Sequence, residues 1–216
     1  MVYTQYELQA AYNKTAFLTS PEYREKLEIL RKVSKAFEEN GIHWAISCSS
    51  ALFFRGIVDD FNDYDLLLDV KDVEKAKKVL TSCGVVLDEN TPQKNTYFDS
   101  PYYQQAKAGN VEFDLIADIS VKTFGGLYTF KVEQGLEMNS LEGNICIPLI
   151  PIEAQLVLYG MMEGWQAKRR FKRELCYAYL QAMKNNQCPL RYHGILEEAL
   201  TQRITASLKE VINSLL

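Results

Sequence analysis

Two aspartates lie two positions apart at the start of an apolar segment. Asp63 and Asp65 flank Tyr64, and three leucines follow. Because successive side chains of a β-strand point to opposite faces, both carboxylates would share one face of a strand. Carboxylates held side by side repel each other, and a divalent cation with a preference for oxygen ligands relieves that repulsion. The pair therefore predicts a metal site at a strand edge.

A second apolar segment carries a further carboxylate. Asp114 lies in the middle of Val111 to Ala117, which is typical of a buried strand. We expect this strand to lie in the same sheet, so that Asp114 completes a cage of three carboxylates. Glu112 shares a strand face with Asp114, and we interpret it as a surface residue, with a role as a further metal ligand left open.

A turn of small residues precedes the aspartate pair. Cys48, Ser49 and Ser50 follow an apolar segment that is predicted to be a strand, and Ala51 to Phe54 then begins a short helix. The first amide N–H groups of a helix lack partners within it, and the serine hydroxyls are further donors. The turn therefore suits a phosphate or another anion.

The hydrophobic pattern predicts an α+β, mixed α/β fold. Strands and helices mix in residues 1–148, where a small sheet is flanked by helices and a peripheral hairpin would pair Leu127 to Val132 with Ile145 to Pro148. Prolines then mark a boundary, and residues 149–216 form a predicted helical subdomain. Its helices are predicted at Ile152 to Met162, Ala167 to Met183 and Ile195 to Leu215.

Composition narrows the functional class. The chain has 216 residues, of which 47% are hydrophobic, and a formal net charge of −4, which argues against a protein that coats nucleic acid. Five cysteines without a C-x-x-C pair and only two histidines argue against a zinc site. No signal segment or membrane-spanning run is evident, so we expect a reduced, cytoplasmic protein with no membrane partner.

The order of these features resembles the nucleotidyltransferase superfamily of DNA polymerase beta-like enzymes. The shared pattern is a strand, a small-residue turn, a short helix, Asp-x-Asp, and a later acidic residue between apolar ones. Here Ser49 is followed by thirteen residues and then by Asp63, and Asp114 fits the third element. The helical tail resembles that of small prokaryotic members, which include antibiotic nucleotidyltransferases and nucleotidyltransferase toxins. The sequence departs from the pattern at Cys48, where the family has glycine.

The resemblance implies a role for each site residue. Asp63 and Asp65 would bind magnesium and the phosphates of a nucleoside triphosphate, and Asp114 would complete the metal site and position or activate the acceptor hydroxyl. Two Mg²⁺ ions are implied, with Mn²⁺ as an alternative. The nucleotide-binding residues would be Cys48, Ser49, Ser50 and, in the basic cluster from Lys168 to Arg173, Lys168.

The leading hypothesis is a metal-dependent enzyme that transfers a nucleoside monophosphate from a nucleoside triphosphate to an acceptor and releases pyrophosphate. The acceptor is open among a small molecule, an RNA and a protein, as are the base and the oligomeric state. The alternative is a catalytically silent nucleotidyltransferase-like module that binds a nucleotide or a partner and acts as a regulator. Cys48 motivates this alternative, because it places a Cβ and a thiol where the pattern has none.

Overall fold

A computed structural model describes residues 2–89, 98–123, 126–142, 145–164 and 167–216. Eight α-helices are present in these ranges: α1 Val2–Thr19, α2 Arg24–Glu39, α3 Cys48–Phe54, α4 Val73–Ser82, α5 Ile152–Met161, α6 Ala167–Asn185, α7 His193–Thr201 and α8 Ala206–Leu215. Nine strands accompany them: β1 Trp44–Ser47, β2 Tyr64–Leu68, β3 Val86–Leu87, β4 Tyr102–Ala108, β5 Val111–Ala117, β6 Ile119–Thr123, β7 Gly126–Phe130, β8 Glu137–Glu142 and β9 Ile145–Leu149.

Seven of the strands form one mixed sheet. Their order is β3-β4-β5-β2-β1-β9-β8, and β6 and β7 form a separate two-stranded sheet. β2 lies at the centre, antiparallel to β1 and parallel to β5. The α+β fold predicted from the sequence is therefore confirmed.

Alternation along β2 and β5 assigns their side chains to two hydrophobic cores. Leu66 and Leu115 belong to one core, together with residues of α2 and α4. Leu67 and Ile116 belong to the other, together with residues of the C-terminal helices. Because side chains alternate, Asp65 lies on the same face of the sheet as Leu67, which is the face that those helices cover.

The helix α5 lies at the centre of the second core. Its residues from Ile152 to Gly160 are all buried, as expected for a helix that is apolar nearly all round. It contacts α6, α7 and α8. The division of the chain into residues 1–148 and 149–216 stays a prediction.

The predicted peripheral hairpin is wrong. β7 pairs with β6, whereas β9 pairs with β8 and joins the main sheet beside β1. Asp118 adopts a positive φ of 46° and turns the chain directly from β5 into β6. The sequence also predicts a flexible elbow at Phe124 to Leu127, which lies partly outside the described residues, since 124 and 125 are not described.

The last predicted helix is two helices. α7 ends at Thr201, and the backbone at Gln202 is extended. The Thr205 hydroxyl then accepts a hydrogen bond from the Leu208 N–H at 3.2 Å, which begins α8 with an N-cap. Apolar residues repeat with helical spacing across the break, which is why periodicity alone joined them. Within the described ranges, no helix combines the length and apolar character needed to cross a membrane.

Candidate active site

Strand pairing brings two of the three predicted aspartates side by side. Asp65 on β2 and Asp114 on β5 are direct partners in the parallel register. Neighbouring strands lie about 4.8 Å apart, so both carboxylates start from adjacent positions on one face. Asp63 precedes β2, and its charge acts on both of the other carboxyl groups. The structure therefore gathers the three aspartates at one edge of the central strands.

Asp65 is the most perturbed of the three. Its pKa is raised to about 8, chiefly by burial and also by the charges of Asp63 and Asp114, and the cations of Lys172 and Arg169 partly offset this rise. Burial removes water from this carboxylate, and its neighbours add negative charge. A bound cation would stabilise the ionised form against both effects. The donor set of three carboxylates therefore fits a hard cation such as magnesium.

Asp114 is oriented by its neighbours on β4. The Tyr103 hydroxyl donates to Asp114 Oδ1 at 3.1 Å, and the Gln105 amide donates to the same oxygen at 3.4 Å. Burial raises the pKa of Asp114, and the Tyr103 hydrogen bond counteracts this by stabilising the ionised form. In the described part of the chain Oδ1 accepts both hydrogen bonds to this carboxylate. Oδ2 accepts neither of them and can therefore contact a ligand.

One group of metal-ligating side chains lies apart from the three aspartates. Among the described residues, one ligand atom from each of His43, Asp69 and Asp72 lies within 4.8 Å of the others.

The cluster of His43, Asp69 and Asp72 has a structural explanation. Asp69 accepts from the Lys71 N–H at 3.0 Å and pairs with the Lys71 ammonium at 2.5 Å. Asp72 Oδ2 accepts from the His43 N–H at 2.9 Å. These carboxylates cap the turn between β2 and α4 and tie it to the start of β1.

Cys48 adopts the backbone conformation for which glycine is best suited. Its φ is +53°, in the left-handed region that residues with a Cβ rarely occupy. The Gln155 side chain holds both polar groups of its backbone: the Cys48 N–H donates to Gln155 Oε1 at 3.2 Å, and Gln155 Nε2 donates to the Cys48 carbonyl at 2.8 Å. Burial raises the pKa of the Cys48 thiol to about 12, so the thiol stays protonated.

The two serines of the turn have different surroundings. Ser49 is partly exposed, and its hydroxyl accepts a hydrogen bond from the Lys172 ammonium at 2.5 Å. Ser50 is fully buried, and its hydroxyl donates to the Ser47 carbonyl at 3.0 Å. The structure thus brings Ser49 to the edge of the site and turns the Ser50 hydroxyl inward.

The basic face of α6 opposes the aspartates. Lys172 and Arg169 both lie over the ring of Tyr159, at 5.6 and 5.8 Å from its centroid, and both act on Asp65. Lys168, the predicted phosphate contact, is exposed on the same helix, and its role stays a prediction. Residues 169 and 172 share a helix face, so helical spacing could have singled out this pair.

Two depressions flank the carboxylates. A cleft of about 180 Å³ is lined by residues that include Cys48, Asp65, Tyr103 and Arg169. A groove of about 420 Å³ is lined by residues that include Asp63 and the exposed Glu112. Asp114 lines both depressions. The carboxylates therefore lie between two spaces, each of which could hold one substrate.

Sequence reasoning missed Gln155 as a contributor to the site, and within the basic cluster it selected Lys168 instead of Lys172. For Gln155 a signal was present, because α5 carries only two polar side chains, Glu153 and Gln155, among apolar residues and one glycine. A buried polar side chain in such a helix needs a partner. The partner could not be named from the sequence, since Cys48 lies 107 positions away.

Comparison with known proteins supports the fold. The sequence matches no protein-family model and no curated protein sequence. The structure is similar to the Thermotoga maritima protein TM1012, provisionally assigned as a nucleotidyltransferase, with a TM-score of 0.54, 16% identity, and coverage of 72% of this chain and 95% of that one. It is also similar to ANT(2")-Ia solved in complex with adenylyl-2"-tobramycin, with a TM-score of 0.50, 13% identity, and coverage of 76% and 94%. A solution structure of the antibiotic-resistance factor ANT(2'')-Ia gives a TM-score of 0.52 at 12% identity, over 76% of this chain and 89% of that one. The chain therefore shares the fold of these solved structures.

Proposed function

We propose that the protein is a magnesium-dependent nucleotidyltransferase that acts in the cytoplasm. The observation that carries the proposal is the pairing of Asp65 with Asp114, next to Asp63 and opposite the cations of Lys172 and Arg169. An acidic edge that holds metal ions and a basic face that holds phosphates are the two parts that phosphoryl-group transfer requires. The similarity to solved nucleotidyltransferases supports the proposal.

The roles of the residues follow from their positions. Asp63 and Asp65 would hold Mg²⁺, or Mn²⁺ in its place, and bound metal would neutralise the triphosphate and stabilise the leaving pyrophosphate. Lys172, Arg169 and the Ser49 hydroxyl would contact the phosphates, because they form the polar wall opposite the carboxylates. These contacts would orient the α-phosphorus toward the groove beyond Asp114.

Asp114 would act on the acceptor. Its Oδ1 is held by Tyr103, so Oδ2 can face a metal ion or accept the proton of an acceptor hydroxyl. The acceptor oxygen would attack the α-phosphorus, the bond to the β-phosphate would break, and pyrophosphate would leave. The groove lined by Asp63, Glu112 and Asp114 is acidic, which favours a small hydroxylated acceptor with positive charge over RNA. Tobramycin, which carries the adenylyl group in the ANT(2")-Ia complex, is the first acceptor to test.

Metal-dependent binding is the first experiment. Calorimetry should show that triphosphate binding needs magnesium and is lost in Asp63→Ala plus Asp65→Ala. Asp69→Asn is the control, because this carboxylate lies just beyond the other end of β2 and caps a turn instead of facing the site. Triphosphate binding of equal strength without magnesium would contradict the proposal.

A second candidate is the catalytically silent nucleotide- or partner-binding module. The cysteine at position 48 favours it, because its backbone adopts a conformation for which glycine is better suited. Incubation with α-³²P- and γ-³²P-labelled triphosphates, in the presence of candidate acceptors or cell extract, separates the two functions. An enzyme would transfer the α label to an acceptor in a magnesium-dependent way and release the γ label with pyrophosphate. The module would bind the triphosphate without transferring either label.

A further inference from the structure

Gln155 is a buried polar residue that no catalytic role accounts for. It is 1% exposed and lies in a helix whose other side chains are nearly all apolar. Its amide makes two hydrogen bonds to a single residue, one to the N–H and one to the carbonyl of Cys48. A primary amide that pairs with both backbone groups of one residue fixes the peptide planes on either side of it.

Cys48 is held in a conformation that it would otherwise avoid. The left-handed region is disfavoured about tenfold for a residue with a Cβ, and Cys48 occupies it at a φ of +53°. Such a residue persists only where its surroundings over-determine its backbone. In the described structure the Gln155 amide supplies that constraint from an adjacent helix.

The next residue along the chain is the one that faces the cations. Ser49 follows Cys48, and its hydroxyl accepts a hydrogen bond from the Lys172 ammonium at 2.5 Å. The direction of the Ser49 hydroxyl therefore depends on the dihedral angles of Cys48. If Cys48 relaxed to a negative φ, the turn would rotate away from α6. The Ser49 hydroxyl would then no longer lie beside Lys172.

We propose that Gln155 is a positioning residue for the phosphate-binding turn, which it holds in the left-handed conformation that glycine would adopt unaided. The inference rests on the proposed function and deepens it, because it explains how a cysteine can stand at this position without loss of nucleotide binding. Gln155 touches no reacting atom and acts through Cys48 and Ser49.

A double-mutant cycle tests the inference. The variants are Gln155→Met, which keeps the length of the side chain and removes the amide, Cys48→Gly, and the double variant. Gln181→Met is the matched control, since Gln181 is a hydrogen-bonded glutamine on α6 that bonds Tyr177 and Ser214, away from the turn. The probe is inorganic tripolyphosphate with Mg²⁺, titrated by calorimetry, because it carries the phosphates common to every nucleoside triphosphate.

Gln155→Met should weaken tripolyphosphate binding about tenfold, which is the scale of the left-handed penalty. In the Cys48→Gly background the same substitution should weaken binding less than about threefold, because glycine needs no clamp. Gln181→Met should leave the affinity unchanged. A role in stability alone would instead lower the melting temperature equally in both backgrounds and leave the affinity unchanged.

The outcomes separate the two proposals. Wild-type binding with an unchanged affinity in Gln155→Met overturns the role of Gln155 and leaves the proposed function standing. Absence of magnesium-dependent binding in the wild type overturns the proposed function itself. If Gln155→Met does not fold, Gln155→Glu takes its place, because it keeps the acceptor for the Cys48 N–H and replaces only the donor to the carbonyl. An affinity unchanged in Gln155→Glu would equally overturn the inference.

Discussion

Replacing Asp65 by asparagine should stabilise the metal-free protein. The raised pKa of Asp65 means that its ionised form is disfavoured by burial and by the charges of Asp63 and Asp114. Asn has nearly the same shape and no charge. In the presence of EDTA we therefore expect Asp65→Asn to have a higher free energy of unfolding than the wild type, although a typical substitution at a partly buried polar residue destabilises a protein.

The sign and the pH range follow from linkage. In the unfolded chain Asp65 loses its proton above its ordinary pKa of 3.8, whereas in the folded chain it keeps the proton until about 8. Wild-type stability should therefore fall as the pH rises from about 4 to 8, while the contribution of residue 65 in the variant stays constant. The pKa difference corresponds to an upper bound of roughly 6 kcal/mol, and relaxation of the site should leave about 1–3 kcal/mol at pH 8.

Urea denaturation of both proteins at pH 4.5 and pH 8 in EDTA measures this difference. The stability gain of the variant should be small at the lower pH and largest at the higher one. Saturating Mg²⁺ with tripolyphosphate should reverse the order, because ligand that binds only the folded wild type stabilises it. A variant that is less stable than the wild type at pH 8 in EDTA would refute the view that these carboxylates repel one another in the folded chain.

Three further predictions concern residues around the site. Lys172→Met should weaken magnesium-dependent triphosphate binding about tenfold, since it removes a charge-assisted contact. Lys168→Met should change this binding less than twofold. The reverse order in calorimetry would favour Lys168 as the phosphate contact. Tyr103→Phe removes one of two hydrogen bonds to Asp114 and should lower the transfer rate about tenfold with little change in the KM for the triphosphate; equal losses in both constants would contradict an effect on the acceptor step. Thr205→Ala removes the N-cap of α8 and should lower the free energy of unfolding by about 1 kcal/mol, measured by urea denaturation, without altering triphosphate affinity.

The sequence was sufficient for features set by local pattern. Alternation around Asp65 and around Asp114 identified two strands and assigned both carboxylates to one face, and the structure pairs these residues directly. The order of turn, short helix and Asp-x-Asp identified the fold. Local pattern was insufficient for strand partners, since β7 and β9 pair with β6 and β8 and not with each other. Pairing depends on which edges the rest of the chain leaves open, and that is a property of the whole sheet.

The site also depends on residues that are distant in sequence. Gln155 reaches Cys48 across 107 positions, and Lys172 reaches Ser49 across 123. Neither contact has a local signature, because each arises from the packing of the C-terminal helices on the face of the sheet that carries Asp65. The same packing gives the cysteine at position 48 its left-handed conformation. A substitution that loosens α5 or α6 should therefore weaken phosphate binding even where every aspartate is intact, because the metal-binding edge and the phosphate-binding wall come from different parts of the chain.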